Sequence, residues 1–516
     1  MNSKTILRNT LWYGLENVIS FVTSLITSIA IARTLGPANM GYIIYVLWVV
    51  NIAGSLGSIG IPATVRKYMA EYIGKNDLPT AKWIYRRTLW IQALTATIAL
   101  IMCLAWVVYR SPAEYRVAAI ILVLSVWPSM VNFISAQANV ASENLSANLP
   151  GSVAATVVFF VLTMLTVIFH WGVIGVAAAM LGMRVVDFAV RFVPTWRRIS
   201  SWSETSAPPP EELRKRMFHF AVESVAGMAL TLIVWDRSEI VLLKYLSTDI
   251  RQIAFYSIAF SLAEKLLVFP TVFASATGAS VYAQYGRDKS RVPALTAAAV
   301  RYLGLTSLPL HFIATALAGA ALSFMYGKQY EGAIVVAMAA PLLCLPKAFL
   351  APIQTLFEAV EKQRYFIAAT ILASVVDVAI AWLLIPKYGA LGAAIGSGGA
   401  QMLSISALWA LGISRYDIHL PWRFLGKVTA SSAAACATAL VFVYTLPQLP
   451  GLLLGGVAAV ILFIVLAAWW RIFEEQDLKR IKVLVDACPA ALATPANLTY
   501  SWLSRRAGAP LTQELI

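Results

Sequence analysis

Apolar stretches about as long as a bilayer is thick recur from one end of the chain to the other, separated by short polar or basic segments. A helix rises ~1.5 Å per residue, so about 20 apolar residues cross the hydrocarbon core. On that measure the pattern predicts about fourteen spans. Six lie near Thr10–Ala32, Gly41–Ile61, Thr88–Tyr109, Val117–Ala138, Gly151–His170 and Val173–Val193. Six more lie near Phe218–Leu243, Ile253–Ala274, Tyr302–Phe324, Gly332–Phe357, Tyr365–Ile385 and Ala390–Ile413. A last pair lies near Phe424–Tyr444 and Gly451–Trp470.

The chain turns over in the same way twice. His170-Trp171-Gly172-Val173-Ile174-Gly175 ends one run and opens the next, and Pro386-Lys387-Tyr388-Gly389-Ala390-Leu391-Gly392 does so about 217 residues later, with Gly182 matching Gly399. Other anchors follow in order. Arg33-Thr34-Leu35 echoes Lys244-Tyr245-Leu246, Gly41-Tyr42 echoes Ala254-Phe255, and Tyr72…Pro79…Arg87 echoes Tyr285…Pro293…Arg301. A collinear set implies duplication. Each copy has an even number of spans, so both face the same way, a parallel repeat about an axis along the membrane normal, with the cavity expected between them. The expected fold is an all-α polytopic membrane protein with about 14 transmembrane helices, two six-helix lobes plus two C-terminal helices. Residues 1–199 form the first lobe and 217–414 the second. A cytoplasmic linker at 200–216 carries Pro208-Pro209-Pro210, the extra pair lies in 415–471, and a cytoplasmic tail follows at 472–516.

Composition supports the membrane reading. The 516 residues are 59% hydrophobic and only 13% charged, which no soluble chain of this size could cover with polar surface. The net charge of +15 is not gathered into a basic domain, so no nucleic-acid partner is expected. Most Lys and Arg fall in alternate loops, such as 66–87, 197–216, 287–291 and 362–364, which places both termini in the cytoplasm. The four Cys and four His are scattered, so no metal site or disulfide framework is expected. No P-loop is present, and no large polar loop carries paired acids, so neither ATP hydrolysis nor glycosyl transfer is expected. The chain is read as a non-enzyme.

A charge inside the hydrocarbon costs ~2.5–3.5 kcal/mol on insertion scales, so each one asks for a reason. Lys265 and Lys347 are the foremost candidates, since Lys347 has no carboxylate within helical reach and Glu264 points away from Lys265. Arg33, Arg66, Arg184 and Arg237 join them as anion-binding candidates. Arg184 and Asp187, three apart, can pair within one helix. Glu16, Glu223, Asp236 and Asp377 are candidates for ion coupling, because an isolated buried carboxylate readily holds a proton.

Four stretches carry a family likeness. These are Ala32-Arg33-Thr34-Leu35-Gly36-Pro37 with Gly41-Tyr42, Arg66-Lys67-Tyr68-Met69-Ala70-Glu71-Tyr72 with Gly74-Lys75-Asn76-Asp77, Asp236-Arg237, and Leu384 to Ala394. Together, over about Ser3 to Arg480, the chain resembles the oligosaccharide flippase (Wzx-like) branch of the multidrug/oligosaccharidyl-lipid/polysaccharide exporter superfamily. The resemblance implies alternating access that carries undecaprenyl-pyrophosphate-linked sugar repeat units to the periplasmic leaflet. It implies a polyprenyl-pyrophosphate-linked glycan and membrane lipids as partners, with polysaccharide polymerase machinery as a further one. No cofactor is expected; a proton or sodium gradient or the membrane potential would drive transport. Asp377 departs from the uncharged polar residue that relatives often carry there. An organic-cation exporter of the same superfamily, or a membrane subunit of an exopolysaccharide secretion complex, are the rival readings.

Overall fold

The computed structural model describes residues 3–203, 211–235, 238–268, 270–273, 281, 284–285, 287–473 and 501, with side chains from residue 23 except 145 and 226–235. The heart of the linker, Asp236, Arg237, the side chain of Glu16 and nearly all of the tail lie outside the described residues. Among the described residues every regular element is helical. Lipid explains why: a helix satisfies its own backbone groups where no water can.

The first half runs α1 (Ser3–Gly57), α2 (Leu78–Arg110), α3 (Arg116–Leu124), α4 (Val126–Ala141), α5 (Leu149–Ile168), α6 (Gly172–Ser200), α7 (Glu211–Trp235) and α8 (Glu239–Leu246). The second runs α9 (Arg251–Glu264), α10 (Val292–Tyr326), α11 (Ile334–Cys344), α12 (Leu350–Ala359), α13 (Gln363–Tyr388) and α14 (Ala390–Tyr416). Helices α15 (Trp422–Thr445) and α16 (Gln448–Trp469) close the described chain.

Among the described residues, 12 stretches are long and apolar enough to cross a membrane. One of them, Thr23–Gly57, is two spans end to end: Gly36 leaves the helix (φ 74°, ψ 168°) and Pro37 starts the second arm. The 25-residue α7 stands where the seventh span is expected. The expected count of about fourteen is thereby met. The expected seventh span, Phe218–Leu243, falls on α7 and α8, with residues 236–237 outside the described residues.

The chain divides into two compact units, Met1–Ser257 and Ile258–Ile516. In the first, Tyr42, Tyr68, Tyr85, Leu122, Ile134 and Val176 belong to one buried apolar cluster. Tyr115 stacks on Tyr42 (centroids 4.2 Å apart) and its hydroxyl donates to Asn39 Oδ1 at 2.7 Å, which holds the second arm of α1 beside α3. Lys82, buried, donates to the Ser200 and Trp202 carbonyls at 2.7 Å each and so closes the C-terminal end of α6. In the second unit, Leu308, Ala316, Val428, Ala435, Ala459 and Phe463 join α10, α15 and α16.

The lipid-facing side is plain on α2. Trp90, Leu94, Ile98, Ile101 and Met102 form one exposed apolar stripe, while Tyr85, Gln92, Ala96, Cys103 and Val107 are buried on the other side. In water this arrangement would aggregate; in a bilayer it is the outer surface.

The two turns that marked the duplication are tight helical hairpins. Gly172 (φ 60°) is the first residue of α6 and Gly389 (φ 53°) precedes α14. A Cβ on Gly392 would lie 2.5 Å from the Leu384 carbonyl carbon and oxygen, so only glycine lets α14 approach the backbone of α13 this closely.

Candidate functional site

A cavity of ≈ 700 Å³ opens within the first unit. The second arm of α1, residues 60–66, and helices α4 to α7 line it. Its floor depends on one glycine. Gly60 takes φ 65°, and a Cβ there would run into the Ala221 carbonyl of α7, so residues 60–66 lie against that helix. From this segment, in a π-helical turn over Val65–Met69, exposed Arg66 reaches the cavity.

Helix α6 supplies most of the charge. Arg184, Asp187 and Arg191 share one face by helical spacing, and all three line the cavity. Asp187 is held twice: Asn132 Nδ2 on α4 donates to Oδ2 at 2.8 Å, and Arg191 Nη2 pairs with Oδ1 at 2.7 Å. Arg191 also donates to Ser152 Oγ on α5 at 2.9 Å. Gly151 makes the space, because a Cβ there would sit 2.7 Å from Asp187 Oδ1. Farther along α6, Arg198 donates to Asn139 Oδ1 (2.9 Å) and Ser142 Oγ (2.8 Å), while Asn139 also donates to Thr195. Arg184 is different. It is exposed to the cavity and makes no hydrogen bond or ion pair among the described residues.

Among the described residues the charged lining is therefore three guanidiniums against one carboxylate that is already paired. The neutral polar lining is serines with Asn51, Asn132 and Gln137; Phe133, Phe159, Met180 and Met183 add apolar surface. Fixed guanidiniums bind phosphate oxygens in pairs, and hydroxyls and amides match sugar hydroxyls.

The structure thus brings Arg66 and Arg184 together in one cavity and leaves the other described candidates elsewhere, while Glu16, Asp236 and Arg237 lie outside the described side chains. Arg33 is exposed near the end of the first arm of α1. Lys265 is exposed in the 3-10 turn Lys265–Leu267. Lys347, in the 3-10 turn Leu345–Phe349, does have a carboxylate: Glu264 Oε1 of α9 lies 3.8 Å away, brought there by tertiary packing. Asp377 is buried on α13. Glu223 is exposed rather than buried alone, and shares a second pocket of ≈ 310 Å³ with Lys67, Arg216 and His219.

Two further differences concern pairing. The sequence allows Arg184 to pair with Asp187 at i, i+3, whereas the ion pair forms with Arg191 at i, i+4. Arg191 and Asn132 were missed, although the spacing of Arg184, Asp187 and Arg191 on one helical face was legible. Among the described residues no group of His, Cys, Asp and Glu could hold a metal ion.

Solved structures share this architecture. The lipid II flippase MurJ in an inward closed conformation matches with a TM-score of 0.71 at 13% identity, over 89% of this chain and 98% of that one. An inward-facing multidrug resistance MATE family transporter of the MOP superfamily matches with a TM-score of 0.64 at 16% identity, over 77% and 94%. A MOP superfamily transporter from Pyrococcus furiosus, described for the reverse polarity of its binding pocket, matches with a TM-score of 0.54 at 15% identity, over 78% and 93%. At such identities the likeness shows the fold. No curated protein matches the chain by sequence. Residues 6–282, more than half of the chain, match the polysaccharide biosynthesis protein family. The structural neighbours are transporters and flippases, not enzymes. A multi-pass membrane chain with this match belongs to the polysaccharide biosynthesis protein family.

Proposed function

We propose that the chain is a flippase that moves undecaprenyl-pyrophosphate-linked oligosaccharide repeat units across the bacterial inner membrane by alternating access, for cell-surface polysaccharide biosynthesis. Both termini are cytoplasmic in this reading, as the basic loops require. The observation that carries it is the charge balance of the first-unit cavity, where Arg66 and Arg184 face open space and Asp187 is neutralised by Arg191.

In this reading Arg66 and Arg184 hold the pyrophosphate through charge-assisted hydrogen bonds, and the serines with Asn51 and Gln137 receive the first sugars. A cavity of ≈ 700 Å³ has the size of a small-molecule site, ~300–1,000 Å³. The polyprenyl tail stays in lipid, where it costs nothing to solvate. A two-state carrier moves nothing uphill by itself, so a proton or sodium gradient or the membrane potential biases the cycle. The rival cation exporter needs a cavity with free carboxylates, and Asp187, the single carboxylate among the described lining residues, is paired.

The test is reconstitution in vesicles with a fluorescent polyprenyl-pyrophosphate saccharide whose leaflet exposure is read by an added quencher. Movement of the saccharide head between leaflets is expected. Efflux of a cationic dye with no movement of the saccharide would overturn the reading.

A further inference from the structure

The first turn of α13 meets the last turn of α14, where Arg415 Nη1 donates to the Tyr365 hydroxyl at 2.6 Å. The Arg364 guanidinium reaches the same hydroxyl, and both guanidinium carbons lie 5.2 Å from the centre of the Tyr365 ring. Lys362 is close enough to act on that hydroxyl as well. Three cations thus converge on one neutral group.

No acid balances them. Among the described residues Lys362, Arg364 and Arg415 form no ion pair, and all three are exposed. Of the nearby carboxylates, Glu358 accepts from Gln354 Nε2 at 2.8 Å, Asp417 lies 3.4 Å from His419 Nε2, and Glu361 points to solvent. Like charges drawn to one ring repel, and an anion between them removes that cost. Membrane topology explains why this loop is basic, but not why its cations meet on a single tyrosine.

The platform beneath them is fixed. Tyr365 and Tyr416 pack on the buried ring of Phe357 of α12, with centroids 5.6 and 6.0 Å away. After α12 the chain turns through Glu361 at φ 56°, and the Lys362 N–H donates to the Phe357 carbonyl at 2.8 Å. One buried residue therefore holds both the ring and the turn that delivers Lys362.

The same helix face continues in hydrocarbon. Arg364, Ile367, Ile371 and Val375 follow at i, i+3, i+7 and i+11 along α13. The three apolar members are exposed, a surface that lipid covers.

We propose that this cluster is a binding site for an anionic phospholipid. Its phosphate sits between Arg364 and Arg415 with Lys362 beside it, and an acyl chain lies along Ile367, Ile371 and Val375. Guanidinium forks take phosphate oxygens in pairs, and both side chains are long and exposed, so both can turn to one headgroup. A basic pocket between membrane helices at the surface suits an acidic headgroup. The site belongs to the second unit and uses none of the first-unit cavity, so it stands apart from the flippase reading.

The full chain in neutral detergent is titrated with dioleoyl phosphatidylglycerol and, separately, with dioleoyl phosphatidylcholine, and bound lipids are counted by native mass spectrometry. Wild type is expected to hold phosphatidylglycerol about tenfold more tightly than phosphatidylcholine. Arg364→Gln with Arg415→Gln should lose that preference while unfolding at the wild-type temperature, because neither arginine has an ion pair to lose. Arg87→Gln with Arg214→Gln removes the same charge from exposed positions of the first unit and should keep the preference. Equal losses in the two double variants would reduce the effect to overall surface charge and overturn the site. A wild type without preference would overturn it too. Displacement of the phosphatidylglycerol from wild type by an equimolar polyprenyl pyrophosphate would overturn the assigned occupant.

Discussion

Helices α6 and α14 hold the same place in the two copies, and they use it in opposite ways. At the offset of about 217 residues that aligns the two turns, Arg184 meets Gln401, Asp187 meets Ser404 and Arg191 meets Leu408. In α14 all three counterparts are buried, and Gln401 Nε2 donates to Ser397 Oγ at 3.2 Å. Its glycines press it into its neighbours: a Cβ on Gly396 would meet Ala381 at 3.2 Å, and one on Gly398 would meet Leu343 at 2.6 Å. In α6 the same positions face open space or an ion pair. The duplication preserved the hairpin and not its chemistry. Charges survive in a membrane protein only where something wet or oppositely charged receives them, so the charged copy lines a cavity and the neutral copy packs.

The comparison can be broken by exchanging the residues. Gln401→Arg puts a charge into the packed face of α14 and is expected to cost about 3–5 kcal/mol, read as a large fall in the thermal unfolding temperature in detergent. The reverse exchange, Arg184→Gln, should leave the unfolding temperature nearly unchanged. It removes a charge-assisted contact to the substrate, worth ~1.5–3 kcal/mol, and so slows flipping about tenfold to a hundredfold. Equal effects of the two exchanges on stability would erase the distinction between a wet and a dry helix.

The turns offer a finer test. Gly392→Ala pushes against the Leu384 backbone, which cannot yield, and should cost about 1–2 kcal/mol. Gly182→Ala, farther along α6, meets chiefly the tip of the Leu162 side chain, which can turn aside, so its loss should be the smaller of the two in the same unfolding measurement.

The smallest effect concerns the loop between α1 and α2. The Glu71 carboxyl is held below its ordinary value by the hydrogen bond from Lys75 (2.6 Å) and by the Arg216 guanidinium (3.3 Å). A lowered native value means that this clasp contributes above the ordinary carboxylate range, about pH 4.3, and is lost as pH falls through the lowered value. Hydrogen exchange in Ala70–Gly74 should therefore quicken only in strong acid. Quickening already at pH 6 would contradict the pairing.

The helices were legible because lipid leaves the backbone no alternative, and Gly36-Pro37 announced its own break. The repeat was legible because its turns need glycine at Gly172 and Gly389. Pairing was harder to read. The Lys347–Glu264 contact joins two elements far apart in sequence, and no spacing rule reaches across them. Asp187 had an arginine at both i−3 and i+4, and the choice was made by Asn132 and Ser152 on other helices.

The central claim is that the cationic cavity of the first unit handles a pyrophosphate-linked saccharide. Its most direct test is the flipping rate of the Arg66→Gln, Arg184→Gln double variant in vesicles, beside wild type at matched protein density. The account predicts a rate close to that of protein-free vesicles, with an unfolding temperature near that of wild type. A folded double variant that moves the saccharide at the wild-type rate would contradict it.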